Sequence, residues 1–286
     1  MIIWVASYPK SGNTWVRSFL HSLIFTKDGN ADLNKISRIG QYPLRSHFKG
    51  LIDNVDDIKK LAECWGPSQS KINLDNKIKF FKTHHVMCNY ENHSFTNYEN
   101  TFGTIYIVRD PRNVITSLKN HFTKENYEEA KKFILDKKKI IGRNFDEKQK
   151  INFEDSEILT FISSWQNHYN SWKSLKKNFL VIKYEELISN NFKEFGKIRK
   201  YLEEKMSLSF NNSKFNRAVE SNSFENLKKY EENYGFKESI KDKNTDLNKK
   251  FFDLGPKNDW KNFLDEKIRF ELEENFKIEM QELGYL

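Results

Sequence analysis

Cysteine, proline and glycine are all scarce in this chain: two, five and eleven among 286 residues. The two cysteines, Cys64 and Cys88, match neither a secreted disulfide framework nor the paired spacing of a metal site, so both are expected to be reduced and structural. With so little proline and glycine, no stretch reads as a linker between domains, and the length suffices for one substantial core. The expectation is therefore a single domain over residues 1–286. Long apolar runs are missing too: none approaches the roughly 20 residues that a membrane-spanning helix needs. An apolar strand already starts at Ile2, which leaves no room for a signal peptide. The reading is a soluble cytoplasmic protein with no integral membrane segment.

Charge is plentiful, with 48 Lys and Arg against 40 Asp and Glu, a net +8. This suits a polyanionic ligand, but the lysines are interleaved with glutamate and asparagine throughout. There is neither a basic face nor a recognisable reader motif, so nucleic acid is not an expected partner. Aromatic residues make up 15% of the chain, a share that core packing accounts for as readily as an acceptor pocket does.

The most informative segment is Ser7-Tyr8-Pro9-Lys10-Ser11-Gly12-Asn13-Thr14-Trp15, between the apolar run Ile2 to Ala6 and the amphipathic stretch Val16 to Phe25. Strand, anion loop, helix is the arrangement implied. Small residues let the backbone N–H groups turn toward an anion, the helix N-terminus adds positive potential, and Lys10 brings a full charge. Aligning Gly12 with the second glycine of G-x-x-x-x-G-K-[ST] puts Asn13 where that pattern has lysine and Ser7 where it has glycine. The loop alone leaves a small-molecule kinase open.

Further short apolar runs at Ile78 to Lys82, Thr104 to Val108 and Phe179 to Lys183 alternate with helical or charged segments. The fold class predicted is α/β, three layers with a central parallel sheet. Ligands of such sheets bind beyond the carboxyl ends of the strands. Lys124 to Phe153 reads as a partly helical, solvated insertion, Lys237 to Lys250 as a mobile loop, and Trp260 to Leu283 as an amphipathic helix carrying Phe263, Ile268, Leu272, Phe276 and Met280. After Ile78 to Phe81 comes Lys82-Thr83-His84-His85. The two-residue strand period puts Lys82 and His84 on one side and His85 on the other. With an ordinary pKa of about 6.5, His84 is suited to take a proton from a hydroxyl. In Arg109-Asp110-Pro111-Arg112, Asp110 is placed to cap a helix that starts at Pro111, with Asn113 and Ser117 one turn apart on it.

Tyr8-Pro9-Lys10-Ser11-Gly12-Asn13-Thr14-Trp15 resembles the nucleotide-sulfate loop, Tyr-Pro-Lys-Ser-Gly-x-Thr-Trp, of the cytosolic-type sulfotransferases, which have the P-loop nucleotide-hydrolase-like fold. Lys82-Thr83-His84 resembles that family's Lys-Thr-His, whose histidine is the catalytic base. The stretch Tyr106 to Ser117 resembles its second nucleotide motif, in which the arginine and a serine eight positions later hold a 3′-phosphate; the resemblance assigns these roles to Arg109 and Ser117. Ser164-Trp165-x-x-His168-x-x-x-Trp172 is similar to a family segment taken here as structural. Tyr184-Glu185-Glu186-Leu187 is similar to one whose tyrosine contacts adenine, and Trp15 and Phe224 are further candidates to sandwich that ring. The family's Arg-Lys-Gly-x-x-Gly-Asp-Trp-Lys appears as Asp253 to Lys261. Gly255 and Asp259-Trp260-Lys261 are retained but both leading cations are lost, so Lys257, Lys249 or Lys250 is the substitute expected. The family's dimer-forming Thr-Val segment is absent, and no dimer is inferred.

The resemblance implies a sulfotransferase that uses 3′-phosphoadenosine 5′-phosphosulfate, with His84 as base and Lys10 and Lys82 stabilising charge. Ser11, Gly12, Asn13, Thr14, Trp15, Arg109, Ser117, Tyr184, Phe224, Gly255 and Lys257 would complete the cofactor site, and no metal is implied. The acceptor implied is a hydroxyl, or an amine, on a small molecule, lipid or saccharide. The alternative is a kinase using ATP, with Thr14 on magnesium and Asp110 as its acidic residue.

Overall fold

The computed structural model describes residues 1–121, 126–142, 158–239, 250–252 and 255–286. Much of the insertion expected over 124–153, of the loop expected over 237–250, and Lys249, Asp253 and Leu254 lie outside the described residues. The chain forms two compact units. One comprises Met1–Pro9, Gly40–Ile107 and Lys132–Val181; the other comprises Lys10–Ile39, Val108–Lys131 and Ile182–Leu286.

A five-stranded sheet is built from β1 (Ile2–Ser7), β2 (Gly40–Gln41), β3 (Lys79–Thr83), β4 (Thr101–Val108) and β5 (Phe179–Lys183), in the order β2-β3-β1-β4-β5. Every residue of β1 is buried, as a central strand covered on both faces requires. β1 pairs in parallel with β3 (Ala6 opposite Thr83) and with β4 (Ser7 opposite Ile107), and β2 pairs in parallel with β3. The chain passes from β1 to one neighbour and later returns on the other side, which makes the carboxyl end of β1 a topological switch point. The loops leaving that edge of the sheet begin at Tyr8, His84 and Arg109.

Three expectations are corrected in detail. The helix after the loop, α1 (Asn13–Phe25), starts three residues earlier than its apolar stripe, because Gly12 itself is the N-cap. Strand β4 also starts three residues early, and its register shifts between Ile2 and Ile3. The C-terminal segment is not one helix. A 3₁₀ turn (Trp260–Asn262) precedes two helices, Glu266–Asn275 and Lys277–Glu282, because Asp265 caps a new start by accepting from Ile268 N and the chain breaks step at Phe276. Ile268, Leu272, Phe276 and Met280 are buried as the spacing demanded, whereas Phe263 is exposed. Helix Tyr127–Leu135 realises part of the expected insertion.

Aromatic side chains in the first unit are core material. Trp4 packs near Tyr42, Phe95 and Trp172, and its Nε1 donates to Thr101 Oγ1 at 3.0 Å. His85 stacks on Phe95 with ring centroids 4.0 Å apart. Burial pushes its pKa down to about 3, and the same cause holds His168 at about 3. Both rings are neutral when folded and gain a proton on unfolding. The unfolded chain therefore binds more protons between pH 6.5 and 3, and stability falls as pH falls through that window, by up to about 1.4 kcal/mol per pH unit per ring. Thermal melts should show a falling Tm from pH 6.5 to 4, and the double variant His85→Phe, His168→Gln should flatten it; an unchanged slope would show that other groups control acid stability.

Candidate active site

The anion loop is held in an unusual backbone conformation. Lys10 has φ of 67° and Gly12 of 98°, and such a conformation at a non-glycine residue costs roughly 1–3 kcal/mol, a strain that clusters at functional sites. Gly12 N-caps α1 without a side-chain cap, and its carbonyl accepts from Trp15 and Val16 N–H. A helix start with no side-chain cap is the usual geometry for receiving an anion. No side chain fits at Gly12: a Cβ there would lie 2.5 Å from Tyr184 Cδ2.

Tyr184 opens a short helix, Tyr184–Ser189, directly after β5, and its ring supports a second element of the site. The Arg109 guanidinium lies 4.1 Å over that ring. Its Nη1 donates to the Lys10 carbonyl at 3.0 Å and to Ser117 Oγ at 3.1 Å. Arg109 thus joins the loop to Ser117 on helix Pro111–His121, two residues that the resemblance pairs. Its neighbour Arg112 has a different use: it is paired with Asp110 (2.7 Å) and Glu273 (2.6 Å), and Asp110 also accepts from Arg112 N.

Residues that sequence reasoning missed complete this cluster. Buried Asn258 donates through Nδ2 to Ser117 Oγ at 3.0 Å and accepts at Oδ1 from Thr116 Oγ1 at 2.7 Å. The available signal was its position, where the resembled pattern has its second glycine. Lys257, expected as a substitute cation, is exposed, and Lys250 is ion-paired with Glu232. Glu238, for which the sequence carried no signal, accepts from Thr14 Oγ1 at 3.1 Å and from Arg17 at 2.5 Å. The three adenine candidates form one cluster: Trp15 packs edge-on to Tyr184 and Phe224. Trp15 and Tyr184 are buried and Phe224 half-buried. Gly255 is required there, since a Cβ would lie 2.1 Å from Phe224 Cζ. The Lys10 ammonium lies 4.9 Å over Phe251, whose N–H is anchored to Glu231 at 2.7 Å.

In the first unit, burial alternates at the end of β3: Lys82 and His84 are half-buried, Thr83 and His85 buried. His84 Nδ1 lies 2.7 Å from the Ser7 carbonyl, which can only accept, so Nδ1 carries the proton and Nε2 the lone pair. The His84 carbonyl accepts from His168 Nε2 at 3.1 Å, and His168 Nδ1 accepts from Tyr106 Oη at 2.8 Å. Helix Trp165–Lys173, which carries His168, therefore fixes the backbone that presents the imidazole.

Comparison with known proteins assigns the chain to a family. A family model for the sulfotransferase domain covers residues 2–284. The chain belongs to the sulfotransferase domain family. Luciferin sulfotransferase of Photinus pyralis is 25% identical over 76% of this chain and 58% of its own length, so the chain spans less than two thirds of that relative. Sulfotransferase 1E1 of Mus musculus is 25% identical over 97% of this chain and 83% of its own. Among solved structures, mouse sulfotransferase SULT7A1 complexed with PAP superimposes with a TM-score of 0.56 at 20% identity, covering 98% of this chain and 84% of that one. The sulfotransferase shares with it an α/β fold built on a parallel sheet, and its enzyme class is that of its family.

Proposed function

We propose that this single catalytic domain transfers a sulfuryl group from 3′-phosphoadenosine 5′-phosphosulfate to a hydroxyl, or an amine, of a small-molecule, lipid or saccharide acceptor in the cytoplasm. The observation that carries the reading is Arg109 bridging the Lys10 carbonyl and Ser117 Oγ, beside a loop whose Gly12 has no room for a side chain. That donor set suits a nucleotide with two phosphate-like ends. Lys10 and the N–H groups of Ser11, Gly12, Asn13 and Thr14 would hold the 5′ end. Arg109 and Ser117 would hold the 3′-phosphate, with Gly255 and Lys257 beside them, and Trp15, Tyr184 and Phe224 the adenine.

When bound, the donor would supply an activated sulfuryl group, with 3′,5′-diphosphoadenosine leaving through its 5′-phosphate oxygen. His84 Nε2 would take the acceptor proton, so that the acceptor oxygen could bond to sulfur as the bond from sulfur to the 5′-phosphate oxygen breaks. Lys82 and Lys10 offset charge on the sulfuryl and phosphate oxygens. No metal is needed in this scheme, since two lysines and the helix N-terminus meet the charge. The kinase reading is not favoured: Asn13 replaces the lysine of the hydrolase loop, and Asp110 is engaged with Arg112.

Calorimetric titration tests the reading. Binding of 3′,5′-diphosphoadenosine should be tight, independent of magnesium, and much stronger than binding of adenosine 5′-phosphate; preference for ATP with magnesium would sink it. Glu238 places a carboxylate on Thr14 Oγ1, within the loop that receives the anion. Removing one repelling charge is expected to tighten binding of the same nucleotide in Glu238→Gln by about tenfold, a ΔΔG of about 1.4 kcal/mol. Unchanged or weaker binding would show that Glu238 does not oppose the anion.

A further inference from the structure

Arg17 lies on α1, two residues beyond the segment that resembles the nucleotide-sulfate loop and one turn from Thr14. It is 2% exposed, and it stands in the second turn of a helix whose first turn holds no acidic residue. The helix N-terminus already carries positive potential, so a buried cation there is unfavourable unless an anion faces it.

In the free protein that anion is Glu238. Arg17 Nη2 donates to Glu238 Oε1 at 2.5 Å and to Oε2 at 2.7 Å, and Thr14 Oγ1 donates to Oε2 at 3.1 Å. Arg17 has no other carboxylate partner among the described residues. Its Nη2 also lies 3.4 Å from Thr14 Oγ1, and its Nε is buried with no hydrogen-bond partner. Ser239 ties down the backbone that presents the carboxylate: its N–H donates to the Phe236 carbonyl at 3.1 Å and its hydroxyl to Glu231 Oε1 at 2.7 Å. The Glu238 side chain itself remains 33% exposed.

We propose that Arg17 is a further binding residue for the 5′-phosphate of the nucleotide, and that the Glu238 carboxylate occupies the position of that phosphate in the free protein. The inference rests on the sulfotransferase reading above. A carboxylate from a partly exposed side chain reaches both Thr14 Oγ1 and Arg17, so an anion that displaces it can reach them too. Thr14 has a single O–H to give, and Glu238 now takes it. When a phosphate claims that hydroxyl, the carboxylate moves off into the water that already borders it. The phosphate then keeps the guanidinium paired, so no buried charge is stranded. The 5′-phosphate of 3′,5′-diphosphoadenosine has three terminal oxygens against the two of a carboxylate, enough for Thr14 Oγ1, Arg17 Nη2 and the unmet Nε.

The test is calorimetric titration of the full chain and its variants with 3′,5′-diphosphoadenosine, adenosine 5′-phosphate and adenosine 3′-phosphate. In the Glu238→Gln background no carboxylate needs neutralising, so adding Arg17→Met isolates the contact with the ligand. The added substitution should weaken 3′,5′-diphosphoadenosine and adenosine 5′-phosphate at least about tenfold, and adenosine 3′-phosphate by no more than about twofold. Arg17→Gln in the same background carries the comparison if Arg17→Met does not fold. If Arg17 serves only to neutralise Glu238, its loss beside Glu238→Gln changes nothing, and that result overturns the proposal, as does an equal loss for adenosine 3′-phosphate. Failure of the unsubstituted chain to bind 3′,5′-diphosphoadenosine is a separate result: it overturns the sulfotransferase reading, and the assignment of Arg17 with it.

Discussion

Replacing His84 by alanine is expected to lower kcat by about 10²–10⁴-fold and to leave the affinity for 3′,5′-diphosphoadenosine within about twofold, the range that a positioned general base supplies. The expectation rests on the tautomer. The Ser7 carbonyl, 2.7 Å from Nδ1, favours the tautomer with the proton on Nδ1 and the lone pair on Nε2. Retained turnover would reject His84 as the base, and lost nucleotide affinity would show instead that the substitution disturbs the loop through Ser7. His168 separates orientation from chemistry. His168→Leu leaves the His84 carbonyl and Tyr106 Oη without their partners and should lower kcat, whereas His168→Gln keeps a donor toward that carbonyl and should recover most of it. Equal losses in the two, with unchanged Tm, would mean that the backbone contact does not orient the imidazole.

The parts of this site that were legible in the sequence are those whose chemistry is contiguous along the chain. The turn at Lys10 to Trp15, directly after a strand and opening a helix, could be read from its own residues, whereas the pairing of Arg109 with Ser117 came from the resemblance to the family's second nucleotide motif. Strand β5 was bounded correctly because its apolar run ends sharply at Lys183-Tyr184. What could not be read was long-range pairing. Asn258 reaches Ser117 across 141 residues and His168 reaches the His84 carbonyl across 84, and although both lie in resembled segments, nothing local to them records which residue each would meet. Glu238 is one acid in a charge-rich segment, distinguished only by its contacts with Arg17 and Thr14. The C-terminal helix was misread for a related reason: the 3.6-residue spacing of Ile268, Leu272, Phe276 and Met280 runs through a break that the apolar stripe does not record.

Arg109→Ala should be the most damaging substitution for cofactor binding, because one guanidinium supports three features at once. It ties down the Lys10 carbonyl, holds Ser117 Oγ and packs over Tyr184, whose ring in turn underlies Gly12. Losing a buried charged anchor of this kind costs about 2–5 kcal/mol, or roughly 30- to 5000-fold in Kd for 3′,5′-diphosphoadenosine. Arg109→Lys should rescue it only in part, since an ammonium could donate to both acceptors as Nη1 does but cannot stack flat on Tyr184. Ser117→Ala, which removes one hydroxyl, should lose less than about tenfold because Asn258 still borders that position. Adenosine 5′-phosphate supplies the control. If Arg109 serves the 3′-phosphate, its loss should hardly alter the affinity of a nucleotide that lacks this group. Equal losses for both nucleotides would instead assign Arg109 to shaping the Lys10 turn, and the 3′-phosphate would then have to be held by other cations, of which Lys257 is the first to replace.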